Sequence, residues 1–400
     1  MKLKKDNKYK ITIGLFSDSF YPMSDGVINV VDNYARGLMK YANVIVFAPK
    51  DNTREFDDTT LPYKVIRCKS INIPNYDYIL PTPQLDTDFK KELEEAKLDI
   101  VHIHSPFTIG KTGIKYAKKH NIPCIATMHS QFKQDIQKII KNDIIATKIN
   151  DELIKVFNKC YECRAVNHEV ARIYYEDYGY KMLPKVLNNA TDIKPVKDKN
   201  KAEEYINLKY NIGEDEKVFL FVGRLNTLKN ILFIVDSLKE VVKKSPNLKF
   251  KMLFVGTGAD EIKLIQQIEK KKLKKRVILC GKITDRKELA YHYSRADLFL
   301  FPSIYDASSI VQIEAASQKT PTIFLKNTAT ASTVIDNING FLSDYSVEAY
   351  SDKIIEVLND KKLYKKVSNK SYKDLYKNWE DTIKEVYELY LNIINEYSKK

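Results

Sequence analysis

The chain has 400 residues, 44% of them apolar, which is too long for one ordinary domain and enough to fill two cores. Lysine and arginine number 66 against 52 aspartates and glutamates, a formal charge of +14, so the surface is either plainly lysine-rich and solvated or suited to an anionic membrane or phosphorylated substrates. Zinc-finger spacing and an RNA-binding aromatic signature are both missing, which argues against nucleic acid as a partner, and no run of about 20 apolar residues is present to cross a bilayer.

The start, "MKLKKDNKYKITIGLFSDSF", carries the basic residues of a signal peptide. Its apolar part is short and interrupted by Asp18, so it reads as a buried strand and export is not expected. A helical pattern follows in "GVINVVDNYARGLMKY", with Val27, Val30, Val31, Tyr34 and Leu38 near helical spacing. Strands are predicted at "ANVIVFAP", "YKVIRC" and "LDIVHIHS", a helix at "GKTGIKYAKKHN" and another strand at "IPCIATMHS". Buried strands alternating with helices imply a parallel sheet wound on both faces.

The lysine-rich stretch "KPVKDKNK", Lys194 to Lys201, reads as an exposed linker. The grammar then restarts: strand "KVFLFVG", helix "NILFIVDSLKEVVKKS", strand "FKMLFVG", helix "ADEIKLIQQIEKKK", strand "RVILCG", helix "RKELAYHYSRA" and strand "DLFLFP", then a helix from near Val311 and strand "TPTIFL". The tail "NWEDTIKEVYELYLNIINEYSKK" reads as one long amphipathic helix. The expected organisation is therefore α/β, with Rossmann-like domains at 1–193 and 194–376 and a final helix, 377–400, packing back across the first. Two such sheets are expected to face each other across a cleft, with strand C-terminal ends and helix N-termini offered to an anionic ligand. The five cysteines are odd in number and scattered, as in reduced cytosolic thiols. Cys160 and Cys163 have the spacing of half a zinc site with no second half, so no metal is expected.

Chemistry concentrates in a few stretches. In "FVGRLNTLKN" a strand ends at Gly223, Arg224 follows at once, and Lys229 opens a helix. Two cations beside a glycine turn and a helix N-terminus suit a diphosphate, although solvated cations at strand ends are also common. "FVGTGADE" repeats a glycine turn at Gly256 and Gly258, which a plain tight turn explains equally well. In "YDASSIVQIEAASQ", Asp306 lies just past a buried strand, and the small residues Ala307, Ser308 and Ser309 let a ligand approach the backbone amides. Ile310 and Val311 open a helix that carries Glu314 about one turn in. These carboxylates can accept hydrogen bonds from sugar hydroxyls, or can simply balance a helix N-terminus.

This order of motifs resembles the retaining glycosyltransferases of family 4, which have the GT-B fold, over nearly the whole chain. Their Arg-Leu-x-x-x-Lys-Asn pattern is matched by Arg224, Leu225, Lys229 and Asn230. The resemblance implies that Arg224 and Lys229 hold the diphosphate of a UDP-linked sugar, with no cofactor and no metal. Their two glutamates correspond to Asp306, for the donor sugar, and Glu314, for the ribose. Ser308, Ser309, Ile310 and Val311 would lie along the donor, and Gly256, Gly281 and Ile283 would meet it through backbone. "TMHS" places His129 beside the transferred sugar, and "HIHSPF" supplies His102, His104 and Pro106. "SDGV" puts Asp25 and Gly26 near phosphate and acceptor, and "NINGFL" matches near Asn339 to Leu342. On this basis His129, Arg224, Lys229 and Asp306 are the expected catalytic residues, with Asp25, His104 and His129 on the acceptor side.

The chain departs from the family at Asp306, a glutamate shortened by one methylene, at Ala307-Ser308 for Gly-Phe, and at Gln318-Lys319 for Cys-Gly. Its junction reads Asn189-Ala190-Thr191-Asp192 for Asn-Gly-x-Asp. After His129, Phe132, Ile136, Ile139, Ile140 and Ile144 fall on one helical face with Lys133, Lys138 and Lys141 at its flanks. This face either packs inside its own domain or rests on anionic lipid. Family members often glycosylate membrane lipids or lipid-linked glycans, so the expectation is a peripheral enzyme on the cytoplasmic leaflet. A soluble or polysaccharide acceptor, a sugar-nucleotide epimerase and a non-catalytic nucleotide-sugar-binding protein remain as alternatives.

Overall fold

A computed structural model of the chain describes residues 10–23, 25–72, 79–140, 142–304, 306 and 309–399, with the side chains of residues 135, 138 and 139 set aside. It divides into two compact units, Met1–Asn189 with Trp379–Lys400, and Ala190–Asn378. In the first, β1 (Thr12–Phe16), β2 (Asn43–Pro49), β3 (Lys64–Cys68), β4 (Ser70–Asn72), β5 (Ile79–Pro81), β6 (Ile100–Ile103), β7 (Cys124–Met128), β8 (Glu162–Ala165) and β9 (Lys185–Val186) are the strands among the described residues. The main sheet has the order β3-β2-β1-β6-β7-β8-β9, and each of its pairs is parallel. A parallel sheet covered by helices on both faces buries each strand on both sides, which is why every residue of β6 and β7 is buried, His102 and Thr127 included.

The first helix, Gly26–Leu38, starts where Asp25 accepts a hydrogen bond from the Ile28 amide at 2.9 Å. It buries Ile28, Val30, Val31, Tyr34 and Leu38, whereas Val27 stays half-exposed. The C-terminal helix Trp379–Tyr397 belongs to this first unit and lies against it. Gly37 makes the close approach possible, since a Cβ there would sit 2.5 Å from Ile383 Cγ1.

The second unit repeats the plan with β10 (Lys217–Val222), β11 (Phe250–Val255), β12 (Val277–Gly281), β13 (Leu298–Leu300), β14 (Thr322–Leu325) and β15 (Phe341–Ser343). Their order is β12-β11-β10-β13-β14-β15, again all parallel.

Two sequence expectations fail locally. Lys194 to Lys201 is largely exposed, as expected, but it is not an unstructured linker. Gln318 holds its backbone at both sides, donating to the Lys194 carbonyl and accepting from the Val196 amide, each at 2.9 Å. Asp198 then caps a helix over Lys199–Tyr210. The apolar face drawn from Phe132 to Ile144 is also broken, into helices Phe132–Ile139 and Asp143–Phe157. Asn142 interrupts it by accepting from the amides of Ile144 and Ile145, as an N-cap residue does. Phe132 packs inside its own unit, edge-on to Phe107 at 5.4 Å, while Ile144 is 69% exposed. Lys138 and Ile139 side chains and Lys141 lie outside what is described.

At the strand ends of the second unit, Gly256 has φ +137°, and a Cβ there would lie 1.9 Å from the Gly223 carbonyl oxygen. Gly256→Ala must therefore move backbone rather than a side chain, and should cost about 3 kcal/mol or more. Thermal unfolding tests this, and a melting temperature equal to wild type would sink it.

Candidate functional site

The C-terminal ends of β10, β11 and β12 are tied together by backbone bonds from Gly223 N to Val255 O (3.0 Å) and from Gly256 N to Gly281 O (2.8 Å). Gly223 and Gly281 also have positive φ, at +155° and +68°. Just beyond, Asp260 accepts from the Thr227 amide and hydroxyl, each at 2.7 Å, and from Lys263 at 2.6 Å. Those bonds, Lys263 first and then Thr227, hold its carboxyl down at about 2. Asp260 thus locks the loop that carries Arg224 and Lys229.

Arg224 is exposed and pairs with no carboxylate among the described residues. Lys229 closes a short helical turn, Thr227–Lys229, and its ammonium is bonded to Asp306 Oδ2. Ser303 Oγ donates to the same oxygen at 2.9 Å, and the ammonium stands 5.4 Å from the centre of the Phe301 ring. Asn230, in the left-handed region at φ +54°, donates to the Pro302 carbonyl at 2.8 Å and so ties this turn to the end of β13. Lys229 and Asp306, assigned separately from sequence, are therefore one ion pair.

Helix Ile310–Ser317 has no side-chain cap bond at its N-terminus, and the Ser309 hydroxyl there is buried without a partner. The Gln312 amide bonds the Ser309 carbonyl at 3.2 Å, and the amides of Ile310 and Val311 are left to serve an anion or a hydroxyl. Ile310 and Val311 are half-buried, as are Gly281 and Ile283. Ser308 lies outside the described residues. Glu314 is 4% exposed. One of its oxygens accepts from Arg286 at 2.6 Å and the other from the Tyr293 hydroxyl at 2.8 Å. Arg286 is shared with Asp192, at 3.0 Å from Nε to each of its oxygens. Burial works against the Arg286 charge, but Glu314 and Asp192 outweigh it and raise its pKa. Burial, with Glu314 beside it, raises that of Tyr293.

Arg286 and Tyr293 are missed by motif reading. A signal exists for the first: Arg286 opens helix Arg286–Arg295, where the macrodipole disfavours a cation, so it needs a carboxylate partner.

In the first unit, Gly26 is exposed and a Cβ there would meet open space. In the same unit three histidines form a file. His102 bonds the Tyr390 hydroxyl at 2.6 Å through Nδ1 and the Thr127 hydroxyl at 2.7 Å through Nε2. Its ring centre lies 4.1 Å from that of His104, whose Nδ1 is 3.0 Å from His129 Nε2. His104 is 2% exposed and His129 9%. Burial pushes His129 down to about 3, and burial with the neighbouring rings holds His102 and His104 well below their usual range. All three are neutral at pH 7, so they can exchange hydrogen bonds but are poor bases.

That depression has a sign. An unfolded chain protonates these histidines below about pH 6.5, while the fold refuses the proton until far lower. Stability should therefore be complete above pH 6.5 and fall as pH drops towards 3, by about 1.4 kcal/mol per pH unit for each histidine. Denaturant unfolding at pH 7 and pH 5 measures the slope, which should be shallower in His129→Asn. An unchanged slope would count against the buried neutral state.

Two family models match the chain, one described as Glycosyltransferase Family 4 over residues 24–194 and one as Glycosyl transferases group 1 over residues 203–374. The alpha-monoglucosyldiacylglycerol synthase of Acholeplasma laidlawii is 26% identical over 416 residues, covering 97% of this chain and 98% of its own. The UDP-Gal:alpha-D-GlcNAc-diphosphoundecaprenol alpha-1,3-galactosyltransferase of Escherichia coli is 25% identical, covering 68% and 70%. Among solved structures, Anabaena HepE in complex with UDP matches with a TM-score of 0.74 at 16% identity, over 95% of this chain and 99% of its own. Sucrose-phosphate synthase from Thermosynechococcus elongatus gives 0.74 at 19%, over 97% and 100%. These likenesses identify the fold as GT-B. With the two models spanning everything but the ends and a short junction, the chain belongs to the family 4 glycosyltransferases.

Proposed function

We propose that this glycosyltransferase moves a hexose from a UDP-linked sugar to a lipid or lipid-linked glycan acceptor at the cytoplasmic membrane face, retaining the anomeric configuration and needing no metal. The observation that carries the donor site is Arg224, an exposed guanidinium with no carboxylate partner among the described residues, set on the loop that Asp260 locks. Arg224 and Lys229 bind the diphosphate, joined by the amides of Ile310 and Val311 and by the Ser309 hydroxyl. Ser308 belongs to the same segment. Glu314, pinned by Arg286 and Tyr293, still has lone pairs to accept from ribose hydroxyls. Asp306 reads sugar hydroxyls, and Gly256, Gly281 and Ile283 border the base through backbone. Asp25, Gly26 and His129 are assigned to the acceptor side, with His104 buried behind His129.

In the reaction, the bond from sugar C1 to the phosphate oxygen breaks, and its electron pair leaves with the phosphate. The acceptor oxygen bonds C1 on the same face, and the hydroxyl proton passes to the departing phosphate. The barrier falls because the cations and amides stand ready where charge develops, the task a divalent ion performs elsewhere.

A lipid acceptor is supported by the names of the relatives and by one surface feature. On helix Asp143–Phe157, Ile144, Ile145 and Ile149 are 69%, 47% and 36% exposed, and Lys148 is exposed among them. Lys111, Lys155 and Lys159 line a pocket against the same helix. Exposed isoleucines with lysines fit an anionic leaflet, at about 1 kcal/mol for each lysine near the surface. No helix among the described residues is long and apolar enough to span a membrane.

Thermal shift against UDP, UDP-glucose and UDP-galactose tests the donor site. Arg224→Ala should weaken nucleotide binding by about 10-fold to 100-fold, the loss of a charge-assisted bidentate contact, without lowering the ligand-free melting temperature. The absence of any nucleotide shift at millimolar concentration would falsify the donor reading. Separately, Ile144→Glu with Ile149→Glu should abolish co-sedimentation with phosphatidylglycerol vesicles while nucleotide binding persists. Undiminished sedimentation would remove this helix from the membrane contact.

A further inference from the structure

We propose that His104 is a positioning residue that holds His129 in its Nδ1–H tautomer, so that His129 can only donate, never accept, through its free nitrogen. The idea rests on the reading of His129 as a substrate contact and adds the hydrogen-bond polarity of that contact.

At 2% exposure His104 has no surface of its own to offer a ligand, so any influence passes through His129, 3.0 Å away. The deciding atom is His104 Nε2, which is buried and has no hydrogen-bond partner. His102 cannot supply one, because both its nitrogens are taken by the hydroxyls of Tyr390 and Thr127. The ring of Tyr34 is tilted by 66° to that of His104, 5.5 Å between ring centres. A buried N–H without an acceptor costs more than a buried lone pair without a donor, and is correspondingly rarer. The proton of neutral His104 therefore sits on Nδ1, which donates to His129 Nε2. His129 is neutral as well, so its own proton sits on Nδ1, the one ring nitrogen with no partner among the described residues. A free imidazole would divide its proton between both nitrogens, and His104 removes that freedom.

The consequence is chemical. Nδ1–H of His129 offers one donor to an oxygen of the sugar or the acceptor and cannot take a proton from it. The acceptor hydroxyl must then give its proton elsewhere, as the departing phosphate allows.

Long-range 1H–15N spectra of the 15N-histidine-labelled full chain at neutral pH read the tautomer directly, with His129→Gln assigning the resonances. The expected result is an unprotonated Nε2 and a protonated Nδ1 on His129. His104→Asn, whose amide nitrogen falls close to the place of Nδ1, should keep that signature. His104→Leu should lose it and show mixed tautomers, with kcat about ten-fold below His104→Asn and little change in KM. A protonated Nε2 on His129 in the wild-type chain overturns the proposal, as does an unchanged signature in a folded His104→Leu. If His104→Leu does not fold, the wild-type spectrum still decides. The spectrum needs no turnover, so a failure to find transfer with any UDP-sugar sinks the transferase reading alone.

Discussion

A carboxylate at 4% exposure is tolerable only if both its oxygens are bonded, and the second unit is arranged around meeting that condition for Glu314. Arg286 and Tyr293, both on helix Arg286–Arg295, reach it on helix Ile310–Ser317. Arg286 extends the network to Asp192, two residues into the unit from its first boundary. One buried charge therefore joins two helices and the opening segment, and it holds Glu314 on a helix whose Ile310 and Val311 amides have no partner among the described residues. Were Arg286 lost, the carboxylate would stay buried with half its partners, which is far costlier than never having had the pair.

The cationic side of the same unit follows from backbone. Gly256, at the end of β11, lies closer to the Gly223 carbonyl at the end of β10 than a Cβ permits, and Asp260 staples the next turn. Lys229 is then delivered to Asp306 and Phe301, while Arg224 is left in solvent. Asp306 is held at once by Ser303, three residues before it, and by Lys229.

In the first unit, three buried histidines carry polarity inward beside the buried carboxylates Asp32 and Asp86. Burial keeps their rings neutral, and the C-terminal helix contributes Tyr390 to the innermost of them. The last helix is thus a structural part of the unit that opens the chain, since it packs on Gly37 and also completes the bonding of His102.

Much of this was legible in the residues alone. Continuous apolar runs alternating with amphipathic helices specify parallel sheets, because only strands covered on both faces can be apolar throughout. Arg224, Lys229, Asp306 and Glu314 stood out because short motifs at strand ends have few ways to be arranged. The errors came where local pattern was ambiguous. "KPVKDKNK" is exposed, but nothing local shows that Gln318, more than a hundred residues on, holds its backbone. The apolar face after His129 keeps helical spacing across Asn142, whose side chain prefers to cap a new helix instead. By itself the sequence determined the two α/β units, the glycine turns and the residues that carry charge at strand ends, since these depend on spacing of a few residues. Only the tertiary structure decided that Lys229 and Asp306 form one pair, that Arg286 and Tyr293 hold Glu314, and that His104 lies behind His129, because those contacts join positions from 21 to 77 residues apart that no local period relates.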